Sequence, residues 1–321
     1  MGTSLRKMYD AELMALDTML ARMGHAAGGA IESAMTALHT GDAELARSVI
    51  ARDSEIDAAE HEIEHRCLTL FLRQQPVAGD LRKVSTALKM VTDIERIADQ
   101  ASDIAEITLH LHAEGAAAVG VMDDLYKMGD VALNMVKTAI GAYVQVDLST
   151  AAQVIARDDD CDAMFSKISR EIAQYIAAHP DDAETALDLF MIAKYLERLG
   201  DHAVNVAEWV KFLKTGVPLT TKRVTVEGDA IAKPQNIEVP IGTLYRDVIE
   251  ACGGIKEGVE LGKIIFGGPM MGGAAPSADY PVLKQNNGLL LFSKQAAVLP
   301  EPSACIRCGR CIEACPMGLE P

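Results

Sequence analysis

Residues 74–106 read QQPVAGDLRKVSTALKMVTDIERIADQASDIAE, and this stretch decides the fold. After Pro76 no further proline occurs until Pro180, and apolar residues return every three or four positions. At 100° per residue Ile94, Ile97, Ala98, Ala101, Ile104 and Ala105 make one apolar stripe, the mark of a helix with a single buried side. Glu95, Asp99, Asp103 and Glu106 fall on a nearly opposite side. Reading outward, the same periodicity fills residues 1–216 and breaks at few places: His39-Thr40-Gly41-Asp42, Gln74-Gln75-Pro76, His112 to Gly120, Asp147-Leu148-Ser149 and His179-Pro180-Asp181. Six long helices with short connections predict bundles. Thr150 with Gln153 fits a capping box opening the fifth.

The helical part is an internal duplication. Ala51-Arg52-Asp53 through Asp57 recurs as Ala156-Arg157-Asp158 through Asp162, 105 residues on, and Glu95-Arg96-x-x-Asp99 recurs as Glu197-Arg198-x-x-Asp201, 102 residues on. Two repeats of three helices each are the simplest reading. Residues four apart share a helix face, which pairs Asp53 with Asp57, Glu95 with Asp99, Asp158 with Asp162, and Glu197 with Asp201. Clustered carboxylates suit hard divalent metals; the same pattern also describes a solvated acidic face, and spacing alone leaves both open. Arg96 and Arg198 read as intrahelical partners of Asp99 and Asp201. His202 lies off the carboxylate face and reads as structural.

Composition changes abruptly near the Gly216-Val217-Pro218 turn. Residues 1–216 carry 35 acidic and 20 basic side chains and two prolines; residues 217–321 carry 11 and 10, and ten prolines. A helical part therefore gives way to one rich in strands and loops. There Val224 and Val226, then Ile237, Val239 and Ile241, alternate as strands, Leu244–Cys252 reads as a short helix, and KIIF before Gly267 as a buried strand with a glycine-rich turn. Cys305, Cys308, Cys311 and Cys315, followed by Pro316, form C-x2-C-x2-C-x3-C-P, the bacterial ferredoxin run for a [4Fe–4S] cluster. Cys67, Cys161 and Cys252 sit in helical patterns and read as buried small hydrophobes.

The net charge of −16 argues against a phosphate-gripping nucleic-acid surface, and aromatics at 4% offer few stacking platforms. No apolar run reaches the ~20 residues of a membrane span. The N-terminus lacks the apolar core of a signal peptide. The expectation is a soluble, cytoplasmic chain without direct membrane insertion.

The quoted stretch and its echo at 190–216, FMIAKYLERLGDHAVNVAEWVKFLKTG, resemble the PhoU family, accessory regulators of phosphate-specific transport. The resemblance implies two tandem three-helix bundles in a mainly α chain. It also implies multinuclear iron or other metal clusters on the acidic-x-x-x-Asp motifs, here Asp53/Asp57, Glu95/Asp99, Asp158/Asp162 and Glu197/Asp201. Asn205 stands where the first repeat has Asp103, so the second site is expected to hold metal less tightly. The family's activity is regulatory rather than enzymatic: it restrains a sensor histidine kinase and the phosphate ABC transporter, and a homodimer is expected. Residues 220–321 resemble the C subunit of the Rnf electron-transport complex, which implies a β-grasp (SLBB-like) domain and then a truncated ferredoxin-like segment. The expected organisation is 1–113 and 114–216 as the two bundles, 217–302 as the β-grasp domain and 303–321 as a partial ferredoxin segment.

Two departures limit the Rnf resemblance. Residues 1–321 contain neither that subunit's nucleotide- and flavin-binding region nor a second cysteine run, so Cys315 is expected to lack its partner cluster and Cys305, Cys308 and Cys311 their usual fourth ligand. An incomplete cluster is the expectation. The alternative function is an iron–sulfur electron-transfer subunit with a helical docking module. A di-metal carboxylate enzyme is weaker, because bundle sites of that class take Glu-x-x-His from two helices. Glu62 and His65 supply one; their counterparts are Lys167 and Arg170.

Overall fold

The computed structural model describes residues 2–113, 120–218, 220–268, 272–298, 307 and 309. The chain divides after Pro218 into two compact units. Six long helices build the first: α1 Gly2–Thr40, α2 Ala43–Gln74, α3 Ala78–Ala113, α4 Met122–Gln145, α5 Leu148–Ala178 and α6 Ala183–Thr215, with a 3-10 turn at Pro180–Asp182. Their ends follow from local chemistry. Asp42 caps α2, its Oδ1 accepting from the Glu44 and Leu45 backbone N–H groups at 3.0 Å each. Gln75 and Val146 close α2 and α4 in the left-handed conformation, and Gly216 closes α6 at φ 71°, where a side chain is disfavoured.

The expected capping box at Thr150 is corrected. The helix opens earlier, at Leu148, because Asp147 accepts from the Ser149 N–H at 3.0 Å and also receives the Thr150 hydroxyl. Asp147 repeats Asp42 at the offset of 105, so the duplication extends to the caps.

α1, α2 and α3 form one bundle and α4, α5 and α6 another, and a single hydrophobic core runs through both. α3 packs along α6 and α1 along α4. The latter approach is close: a Cβ on Gly24 would meet Ile140, and one on Gly129 would meet Met35. Tyr143 donates to Asp17 across it at 2.8 Å. Between α3 and α6, Asp93 Oδ1 accepts from Asn205 Nδ2 and faces His202 Nδ1, both at 2.9 Å.

The second unit is a five-stranded mixed sheet in the order β2-β1-β5-β3-β4, with β1 Thr221–Glu227, β2 Gln235–Pro240, β3 Leu261–Phe266, β4 Gly273–Ala274 and β5 Gly288–Ser293. β1 pairs antiparallel with β2 and parallel with β5. Helix α7, Tyr245–Ala251, buries Tyr245, Val248 and Ile249 in the core of this unit. This is a β-grasp-like order. β5 had no reading from the sequence; its signal was the apolar run Leu289–Phe292 between Gly288 and Ser293. Cys305, Cys308, Cys311 and Cys315 lie outside the described residues. Among the described residues no helix is long and apolar enough to cross a membrane.

Candidate metal centre

α2 and α3 lie antiparallel, and their acidic faces meet along one side of the first bundle. Asp53 and Asp57 project from α2 toward Asp99 of α3, and all three are half-buried. One carboxylate oxygen from each lies within 4.8 Å of the others. Among the described residues this is the one group of three or more acidic, His or Cys side chains gathered so closely. The electrostatics bear the marks of the crowding. Burial, then Asp99 and Asp57, pushes the Asp53 carboxyl up to about 6. Burial, then Asp99 and Glu60, raises Glu95 to about 7 against the pull of Arg96. Asp99 and Asp103 are raised chiefly by burial. A cluster of carboxylates in which Asp53, Glu95, Asp99 and Asp103 are raised by burial and then by acidic neighbours is the donor set a hard divalent cation would relieve.

The predicted pairs are thus brought together unequally. Asp53, Asp57 and Asp99 converge, and Glu95 is coupled to them electrostatically. In the second repeat Asp158 and Asp162 of α5 face Glu197 and Asp201 of α6, and Asp158 is buried. Asp201 keeps an exposed edge, yet the protein packed around its carboxyl, then Glu197 and Asp158, raises it to about 7. This set holds a closer cation than the first: Lys194 Nζ lies 2.5 Å from Glu197 Oε2, against 3.5 Å from Arg96 to Glu95 in the first repeat. The counterpart of Lys194 in the first repeat is Thr92. A built-in cation thus competes for the second set. Buried beneath it is Cys161, whose thiol is pushed up to about 12 by burial and then by Asp158, Asp162, Glu197 and Asp201.

The structure adds to two readings. Asn205 is bound by Asp93 of α3, while Asp103 is among the carboxylates that raise Asp53, so the replacement both serves the α3–α6 contact and takes a carboxylate from the second set; Lys194 is a further difference. Arg198 likewise acts on Asp103 of α3, which it holds toward the ionised form, rather than on Asp201. Arg96 behaves as read, at 3.7 Å from Asp99 and 3.5 Å from Glu95. His202 is structural, bound to Asp93. Glu60, raised mainly by burial and by Glu64, and Lys194 were missed. Glu60 is legible as one helical turn beyond Asp57; Lys194 is legible as i−3 to Glu197.

An internally duplicated six-helix bundle with acidic faces in register defines a class, and comparison with known proteins gives it a name. The family model "PhoU domain" matches residues 20–108 and 125–210. The chain belongs to the PhoU family. It is 35% identical over 212 residues to the phosphate-specific transport system accessory protein PhoU homolog of Clostridium acetobutylicum, covering 66% of this chain and 96% of that one. To the homolog from Caulobacter vibrioides it is 34% identical over 217 residues, covering 68% and 94%. The crystal structure of PhoU from Pseudomonas aeruginosa superposes with a TM-score of 0.64 at 32% identity, covering 65% of this chain and 100% of that one. PhoU from Streptococcus pneumoniae gives 0.59 at 27% identity, covering 66% and 100%. Beyond the helical unit, "SLBB domain" matches residues 223–274 and "4Fe-4S binding domain" residues 299–319.

Proposed function

We propose that the chain is a non-enzymatic, metal-binding regulator of phosphate uptake and phosphate-starvation signalling. It acts in the cytoplasm, as a homodimer, on a sensor histidine kinase and a phosphate ABC transporter. The single observation that carries the metal reading is the convergence of Asp53, Asp57 and Asp99 within 4.8 Å. The names of the relatives support the phosphate-transport context. Iron or another divalent metal would be held by these three carboxylates, with Glu95 within electrostatic reach. Because several of these groups are raised toward neutral pH, taking up the cation would expel protons, and affinity would climb with pH. The proposed second set, Asp158, Asp162, Glu197 and Asp201, would bind more weakly because Lys194 must first yield.

A second reading, an electron-transfer subunit of Rnf type, is favoured by the match of residues 299–319 to a cluster-binding family. Cys305, Cys308, Cys311 and Cys315 are chemically the donor set of an iron–sulfur cluster. Elemental analysis of anaerobically purified protein separates the two. Iron without acid-labile sulfide, lost in Asp53→Asn/Asp57→Asn/Asp99→Asn with helicity unchanged, is the expected result. Stoichiometric sulfide that survives the triple substitution would favour electron transfer.

A further inference from the structure

The duplication makes each repeat a control for the other, and the groove between the first two helices of each repeat is one place where they differ. Between α1 and α2 the first bundle has an open groove of about 870 Å³. Along α1 it runs from Met19 to Ser33, about 21 Å at 1.5 Å per residue. Its floor is closed by the buried apolar side chains of Met23, Val49, Ile56, Ile63 and Ala98, its rim also carries Asp53, Glu55 and Glu62, and its α1 wall is low because Ala26, Gly29 and Ala30 are small. Arg22 and Arg52 stand on opposite walls. Among the described residues neither has an ion-pair or hydrogen-bond partner, on a helical unit in which acidic residues far outnumber basic ones.

At the offset of 105 the second repeat puts Val131 for Ala26, Asn134 for Gly29, Met135 for Ala30 and Met164 for Ala59. Met135 is buried and reaches Gly200, the counterpart of Ala98, beside Cys161. Arg157, the counterpart of Arg52, donates to Asn134 Oδ1 at 3.3 Å. Lys127, the counterpart of Arg22, pairs with Asp124 at 3.4 Å. The second repeat therefore fills the equivalent space and satisfies both cations. The first leaves the space open and both cations unsatisfied.

The filled repeat also fixes the register. Arg157 level with Asn134 implies Arg52 level with Gly29. Since α1 and α2 run antiparallel, Arg22 then stands level with Ala59, two helical turns from Arg52, about 10 Å along the groove. We infer that the α1–α2 groove of the first repeat docks an amphipathic helix of a partner protein, one that lays apolar side chains on the floor and presents two carboxylates two turns apart to Arg22 and Arg52. Methionines at Met19 and Met23 suit an adaptable apolar contact, and guanidinium groups bind carboxylates bidentately. This deepens the partner side of the proposed function; the groove shares Asp53 with the carboxylate site, but the docking argument rests on Arg22, Arg52 and the open space and does not require metal there.

The probe is a labelled 18-residue helix-forming peptide carrying Glu at i and i+7 with Leu at i+3 and i+4, against a control with Lys at the same two places. Fluorescence anisotropy should show the Glu peptide binding the full chain, about tenfold or more weaker to Arg22→Gln/Arg52→Gln, and weaker as salt rises. It should lose binding to Gly29→Asn/Ala30→Met/Ala59→Met, which copies residues the second repeat already accommodates. Arg22→Glu/Arg52→Glu should exchange the preference to the Lys peptide. That swap keeps the test decisive if the filled variant does not fold, and helicity and melting are checked for each variant. Equal binding of both peptides, or none below about 1 mM, overturns the inference. Dodecanoate binding to the unfilled groove where neither peptide binds would reassign it to a small amphiphile and equally overturn the helix. Metal content, read in parallel, tells failure here from failure of the carboxylate site.

Discussion

At the scale of single residues, the first carboxylate set stores its information as displaced protons. Asp53 rises to about 6 and Glu95 to about 7 in the folded chain, above the ordinary carboxylate range, mainly through burial. A group whose folded pKa is raised binds its proton more tightly when folded. Its contribution to stability is full below the unfolded pKa and is lost as pH rises through the folded value. The window here runs from about pH 4 to about pH 7. Metal-free protein is therefore expected to melt lower at pH 8 than at pH 5, by about 2–4 °C for each kcal/mol lost. Asp99→Asn should flatten the profile by removing a neighbour from the repelling set. Thermal scans of chelator-treated protein across pH 4.5–8 check this; a melting temperature that climbs steadily over that range would contradict the crowding inferred at Asp53 and Glu95.

At the scale of elements, α3 and α6 are held by polar contacts that the duplication uses in an exchanged sense. Asp93 of α3 takes Asn205 and His202 of α6. At the offset of 102 its counterpart is Tyr195, which is coupled to Asp103, the counterpart of Asn205. The pair of helices thus repeats its own contact about a pseudo-two-fold relation. Asn205→Asp restores the residue of the first repeat yet should destabilise the chain. It replaces a donor 2.9 Å from Asp93 with a second carboxylate, at a cost of about 1–3 kcal/mol for a lost, partly buried partner. The loss should shrink below pH 4.5, where one carboxyl can take a proton. Denaturant melts of the variant at pH 7 and pH 4.5 measure both; unchanged stability at pH 7 would mean that Asp93 does not hold α3 to α6. Asn205 was legible as a departure from the repeat, but its meaning depended on a partner 112 positions away.

At the scale of the whole molecule, each unit has its own core, the first entirely from helices and the second from the sheet and α7. Limited proteolysis is expected to cut between residues 215 and 222, leaving a helical fragment that melts cooperatively. Fragment 1–218 should keep the metal content of the full chain, because every carboxylate of both sets lies within it. A fragment that unfolds once released would show that the units complete one another. The two bundles of the helical unit are not separable in the same way, since α3 with α6 and α1 with α4 join them into one core.

By itself the sequence determined the helices, their breaks, the duplication, the faces carrying acid and the strands Thr221–Glu227 and Gln235–Pro240. Those depend on periodicity, capping and turn chemistry, which act over a few residues. It missed β5, whose four-residue apolar run suits a buried strand or a helix equally until neighbours are known. It placed eight carboxylates in four pairs and marked the second repeat as different only through Asn205; which pairs converge came from packing. Convergence of Asp53, Asp57 and Asp99 needs two helices at a fixed distance and rotation, and the cation opposing the second set was one lysine among twenty basic residues until α6 placed it beside Glu197. The open groove was likewise invisible in the chain. Ala26, Gly29, Ala30 and Ala59 are ordinary helix residues in a row of letters, and become an absence only when the other repeat puts larger residues at the same positions and Met135 reaches Gly200.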